Sequence, residues 1–283
     1  MLEVLIHTLK HTLKDSLNLL PFLFIAFLII EFIEHKLSKR VKKFITKSGK
    51  FGPILGSVLG LIPQCGVSVM ATNFYITRVI SLGCLFSIYL STSDEMLPIM
   101  ISRGVSFKVI FSILLIKFVT GFVFGYIIDF IFKSKNKKFE YEICDTEHCD
   151  CEHGVIKSSL KHTLSTFIYI VITSFIITFL YEQFGESLVS KIFMKDSLFG
   201  PFVGSLVGLI PNCGASIALS ELYLNSAISF GTCIAGLLTG SGVAILILFK
   251  SNKNIKENIF IVISLYLIGV LIGIFLDFMG ILL

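Results

Sequence analysis

The sequence predicts an all-α polytopic membrane protein of two inverted-topology repeats, five segments each, and three observations carry that expectation. The chain is strongly apolar: of 283 residues, 54% are hydrophobic and 15% charged, with a mean hydropathy of +0.89. A typical soluble protein carries roughly 25% charged residues. Several stretches reach the ~20 apolar residues of a membrane span. Finally, FGPILGSVLGLIPQCGVS, from Phe51 to Ser68, returns as FGPFVGSLVGLIPNCGAS, from Phe199 to Ser216, with 12 of 18 positions identical.

In chain order, spans are expected at 17–33, 82–101, 107–132, 163–180, 228–249 and 259–283. The first is followed by Glu31, Glu34 and a basic loop without a small-residue cleavage pattern, so it reads as a retained span and not a signal peptide. The likeness of the halves reaches further: LKHTL at Leu9 to Leu13 recurs at Leu160 to Leu164, and Gly121, Gly125 and Asp129 recur as Gly269, Gly273 and Asp277. The expected organisation is a first membrane repeat (1–134), a Cys/His/acid-rich loop (135–157) and a second repeat (158–283). Each repeat holds an opening helix, a limb with glycines four apart that stops at Pro63 or Pro211, a second limb after a cysteine, a third helix and a closing helix. Small residues at that spacing let helices approach closely, and the prolines, with Gly66 and Gly214, break the helix.

The limb from Gly52 to Ile62 makes roughly 17 Å of helix at ~1.5 Å per residue, too short for a ~30 Å core. Either it folds back with the second limb as a re-entrant hairpin, or the limbs are two short spans. Both give an odd number of crossings per half and turn the second half upside down, the inverted repeat of secondary transporters. A competing arrangement joins the limbs into one broken helix and makes the repeats parallel. Lysines and arginines arbitrate. The odd arrangement puts 16 of them inside, in loops 35–50, 133–161 and 250–256, against 6 outside, and the even one 14 against 9. The positive-inside rule favours inversion, with both termini outside and the central loop cytosolic. The net charge of +5 is thus a topology signal, and no nucleic-acid partner is expected.

In an inverted pair the breaks Pro63-Gln64-Cys65-Gly66 and Pro211-Asn212-Cys213-Gly214 meet near the midplane and offer two thiols, two carboxamides and unpaired backbone groups to one cavity. A cysteine opening a helical limb is favoured as a thiolate, and two thiolates ligate a soft metal or metalloid. Alternatively, Gly and Pro merely shape a helix crossing and the cysteines pack as small hydrophobes. Asp94 and Glu95 fall within the expected third helix, where carboxylates are costly and face a bundle interior or water. Their second-half counterparts, Gly242 and Val243, carry no charge. Lys117 in the closing helix is a candidate counter-charge and coupling residue, unless the acids sit at the interface and the lysine snorkels. Asn73 and its counterpart Glu221, about two turns past the cysteines, are candidate oxygen ligands or proton carriers, with an interfacial position as the alternative.

The stretch CDTEHCDCEH packs Cys144, His148, Cys149, Cys151 and His153 among acids, without zinc-finger spacing. It reads as a metal-capturing segment or as an acidic linker. Of seven cysteines, Cys65, Cys84, Cys213 and Cys233 lie in apolar segments, so neither a disulfide scaffold nor a resident cofactor is expected.

On GLIPQCG at Gly60 to Gly66, GLIPNCG at Gly208 to Gly214, STSDE at Ser91 to Glu95 and the Cys/His-rich loop, the chain resembles the ten-transmembrane heavy-metal exporter family. That family is also described as arsenic-efflux-permease-like, and some members are labelled manganese transporters. The resemblance covers essentially the whole chain and implies export of a toxic or excess metal or metalloid. Chemistry pulls two ways: the thiols suit trivalent arsenic, while the carboxylates and carboxamides suit a hard divalent ion such as manganese. No P-loop or phosphorylated-aspartate motif occurs, so the expectation is a proton-coupled secondary transporter of the cell membrane and not an enzyme. Asp94 or Glu95 would exchange protons for substrate. A metal-permeable channel, or a permease for another small inorganic or organic ion, is the alternative. An intramembrane thiol enzyme lacks a histidine base beside either cysteine. Expected partners are membrane lipid, the metal or metalloid and protons, with a homodimer as the candidate assembly.

Overall fold

The computed structural model describes residues 51–63, 65–93, 96–132 and 199–280, with isolated helical positions between 17 and 28 and between 156 and 175. All regular structure among them is helical. The first repeat supplies α1 (Gly52–Gly60), α2 (Cys65–Ile76), α3 (Leu82–Ser91), α4 (Met96–Ser102) and α5 (Phe107–Ile131). The second supplies α6 (Gly200–Gly208), α7 (Cys213–Leu224), α8 (Phe230–Thr239), α9 (Ala244–Ser251) and α10 (Ile255–Phe278).

The first limbs begin at Pro53 and Pro201, in a turn whose N–H groups have no helical partner anyway. They end ahead of Pro63 and Pro211, whose rings would collide with the carbonyl four residues back. Gly52 lies against Ser81 and Cys84 and Gly60 against Ser91, so α1 runs alongside α3 in the same direction. The Ser68 and Thr72 hydroxyls bond those of Thr92 and Tyr89 at 2.9 and 2.5 Å, so α2 runs back against α3. The two limbs are therefore an antiparallel hairpin and not one broken span. In the second repeat Gly200 meets Thr232, Gly208 meets Gly236 and Thr239, and on the return Ser216 faces Gly240 while Leu219 faces Gly236. Close packing requires the glycines: a Cβ on Gly56 would stand 2.9 Å from the Cys84 carbonyl oxygen.

The third helix departs from the expectation of one continuous span. It is interrupted after Ser91 by an extended Thr92 (φ −55°, ψ 127°) and resumes at Met96; in the second repeat the gap runs over Gly240, Ser241, Gly242 and Val243. Gly240 and Gly242 weaken the helix there, Gly242 at a left-handed φ of 57°. In the first repeat Thr92 and Ser93 turn their hydroxyls back onto the Ile88 and Ser91 carbonyls, competing with the helix's own bonds. Each hairpin tip is level with the break in its own third helix.

The closing helices run antiparallel to the third helices, with Gly125 on Gly83 and Gly273 on Gly231. Their outer faces are apolar at every fourth residue: Phe107, Phe111, Leu115, Val119, Val123 and Ile127 on α5, and Ile255, Ile259, Ile263, Leu267, Leu271 and Phe275 on α10 are all exposed. Exposed apolar stripes of this length suit a helix face turned toward lipid. Helices α5 and α10, and α8 with α9 over Phe230–Ser251, are long and apolar enough to cross a membrane. The broken helices form the interior: α3 and α8 touch each other and are buried along almost their whole length.

Candidate functional site

The two repeats grip each other reciprocally. Return limb α2 packs on α9, the short helix after the second repeat's break, and α7 packs on α4, its counterpart in the first. Both return limbs end with a left-handed residue, Arg78 at φ 60° and Ser226 at φ 57°, and with the bonds Val79 N–H to Phe74 and Ala227 N–H to Leu222 that close a Schellman turn. That turn aims Arg78 at the second repeat. Its guanidinium bonds both Glu257 carboxylate oxygens, at 3.2 and 3.3 Å, lies 5.1 Å over the Tyr75 ring, and shares Glu257 with the Tyr75 hydroxyl. Partial burial is the largest single influence on the Arg78 guanidinium and would lower its pKa, but its hydrogen bonds and charge interactions with Glu257 and Tyr75 together raise it. At α7, Arg103 clasps Glu221 with two bonds of 2.9 Å.

At the level of the breaks the interior is polar. Ser68, Thr92 and Ser93 from the first repeat and Ser216 and Ser241 from the second are buried there. The Ser241 hydroxyl has no hydrogen-bond partner. Cys65 and Cys213 are the first residues of α2 and α7, so each cysteine of the duplicated motif opens the return limb of its own hairpin. Asn212 caps α7 by accepting the Gly214 N–H at 3.0 Å. Gly66 is buried, Pro211 partly so and Pro63 exposed. Lys117, 1% exposed, reaches from α5 across the repeat boundary and donates to the Leu237 carbonyl on α8 at 2.5 Å.

The remaining expected site residues divide. Asn73 is 3% exposed, and its amide nitrogen has no partner. Glu221 is instead held by Arg103 near the end of α7, with side-chain exposures of 29% and 61%, away from the breaks. Gln64, Asp94, Glu95 and the central-loop set Cys144, His148, Cys149, Cys151 and His153 lie outside the described residues. Among the described residues no three His, Cys, Asp or Glu side chains form a metal-binding group. Sequence reasoning overlooked Arg103, Glu257 and the break hydroxyls. For Arg103 the available signal was an isolated charge at the edge of an apolar segment, and for Glu257 a single acid among the lysines that precede the closing helix.

A family model described as "Putative, 10TM heavy-metal exporter" matches residues 5–195, more than half of the chain. The chain belongs to that family. The match agrees with the helical fold and its apolar helices long enough to cross a membrane. No curated protein and no solved structure matches the chain.

Proposed function

We propose that the protein exports a divalent cation of the manganese class by alternating access in two inverted repeats, exchanging it for protons. The observation that carries this reading is the set of buried hydroxyls at the helix breaks, Ser68, Thr92, Ser93, Ser216 and Ser241, with Ser241 unpartnered. Hard cations prefer such oxygen donors, and half-helix ends with unwound backbone supply more of them. Asp94 and Glu95 follow directly on Thr92 and Ser93 in sequence and would add the carboxylates that neutralise the ion and carry protons.

Inversion draws support from the two ion pairs. With hairpin limbs, an inverted pair puts Arg78 and Glu257 at the inner face and Arg103 and Glu221 at the outer face. Parallel four-span repeats would put Arg78 and Glu257 at opposite faces, yet they are 3.2 Å apart. Trivalent arsenic is the second reading, favoured by Cys65 and Cys213 opening α2 and α7.

Everted membrane vesicles separate the two. Manganese, zinc, cobalt and arsenite uptake is measured with and without an inside-acid proton gradient, for the parent and for Cys65→Ser with Cys213→Ser. The expected outcome is gradient-dependent manganese uptake that survives the double replacement. Arsenite uptake abolished by it, with manganese inert, would replace the oxygen site by a thiol one.

A further inference from the structure

Gly240, in the gap after α8, is a glycine that the backbone does not demand. Its φ of −73° and ψ of 83° are open to residues with a side chain. A Cβ there would stand 3.3 Å from the Ser216 hydroxyl oxygen, 3.4 Å from the Gly236 carbonyl oxygen and 3.8 Å from that of Gly208, close to ordinary contact. These nearest neighbours are all oxygens, and they converge from three elements: the last residue of α6, the first turn of α7 and the last turn of α8. The Gly208 carbonyl has lost its helical donor. Pro211 has no N–H to offer, and the Asn212 N–H turns to Ile210 at 2.7 Å.

The first repeat shows what suits this spot. Its residue matching Gly240 is Thr92, whose hydroxyl bonds those of its counterpart surroundings: Ser68, matching Ser216, at 2.9 Å, and the Ile88 carbonyl, matching Gly236, at 2.7 Å. Glycine in place of threonine removes that hydroxyl and keeps the groups that held it. Next in the chain, Ser241 is 1% exposed with an unpartnered hydroxyl, whereas its counterpart Ser93 bonds the Ser91 carbonyl at 3.1 Å. Polar groups that the protein buries without satisfying are where bound water is found. The spacing also selects the ligand. Hydrogen-bonded oxygens stand about 2.7–3.0 Å apart, whereas a small hard cation draws its oxygens in to about 2.0–2.6 Å.

We propose that the gap between α8 and α9 binds a water molecule beside Gly240, held by the Ser216 hydroxyl and the Gly208 and Gly236 carbonyls, where the first repeat carries the Thr92 hydroxyl. One break then has a fixed hydroxyl and the other an exchangeable oxygen ligand. The inference goes beyond the export reading and stands whichever metal is carried, because it concerns a ligand of the protein itself.

Its test reads stability and not transport. The parent, Gly240→Ala, Gly240→Thr and Gly240→Val are melted in detergent, each in sodium, potassium and N-methylglucamine chloride at equal ionic strength. In a dry gap, alanine at such a φ raises the midpoint by restricting the unfolded chain. A water in the place of the Thr92 hydroxyl would lie within a bond length of an alanine Cβ, so alanine must expel it without replacing its bonds. Gly240→Ala should therefore melt about 2–4 °C below the parent. Gly240→Thr brings its own hydroxyl and should melt above Gly240→Ala, whereas Gly240→Val, of the same shape without the hydroxyl, should melt below Gly240→Thr. Gly240→Ala at or above the parent, or Gly240→Val at or above Gly240→Thr, would overturn the proposal. So would a parent midpoint that depends on which cation is present, since that assigns the gap to an ion. Should Gly240→Ala and Gly240→Val not fold, folding of Gly240→Thr supports the water site. Failure of all three shows that the gap rejects any side chain, and overturns it.

Discussion

Asp129 and Asp277 do the same work in the two repeats. Each carboxylate reaches from the end of its closing helix to the start of the third helix, accepting Gly83 N–H and the Ser81 hydroxyl, or Gly231 N–H and the Ser229 hydroxyl, at 2.7–2.8 Å. The negative charge sits where the helix N-terminus has free donors and a positive dipole end, so the bond caps one helix and ties down another. Asp129→Ala should cost about 1–2 kcal/mol, or a fall of about 2–4 °C per kcal/mol in a detergent melt. Asp277, more exposed, should lose less on the same replacement. The sequence repeat marked both aspartates but not their role, because a cap supplied from 46 residues away has no local signature. Glu221 shows the opposite limit: its sequence left a cavity ligand and an interfacial position equally open, and only the fold brings Arg103 to it.

At the level of whole helices, the contacts between repeats depend on two ion pairs of unequal burial. Arg78 and Glu257 have side-chain exposures of 24% and 19%, and Arg103 and Glu221 of 61% and 29%. Removing Arg78 strands a half-buried carboxylate that Tyr75 and Asn252 only partly satisfy. Arg78→Ala should therefore cost about 1–3 kcal/mol. Arg103→Ala, breaking a solvent-screened pair, should cost no more than about 1 kcal/mol. Melting both variants beside the parent checks the order, and a larger loss at Arg103 would contradict it. Much of this architecture was legible in the glycine spacing and in Pro63 and Pro211, since they act on their own neighbours. The break in the third helix was not anticipated, although Gly240 and Gly242 flank it in one repeat. In the other it depends on Thr92 and Ser93 bonding backwards, which composition does not distinguish from an ordinary polar turn of helix.

For the molecule as a whole, the two topologies differ in where the connections after α4 and after α9 emerge. Inverted repeats send 99–108 outside and 250–256 inside, whereas parallel repeats send both to the same face. Charge counting alone separates these weakly, at 16 against 6 versus 14 against 9. The pairing of Arg78 with Glu257 adds an independent constraint, because residues 3.2 Å apart cannot straddle a ~30 Å core. Two exposed positions make the distinction measurable: Ser106, whose side chain makes no capping bond on α5, and Lys253, in the turn before α10. In a background with the native cysteines replaced by serine, Ser106→Cys should react with a membrane-impermeant maleimide on intact cells. Lys253→Cys should react only after the membrane is permeabilised. Equal labelling of both before permeabilisation, or of neither, would place the two connections on one face and overturn the inverted pair on which the proposed alternating access rests.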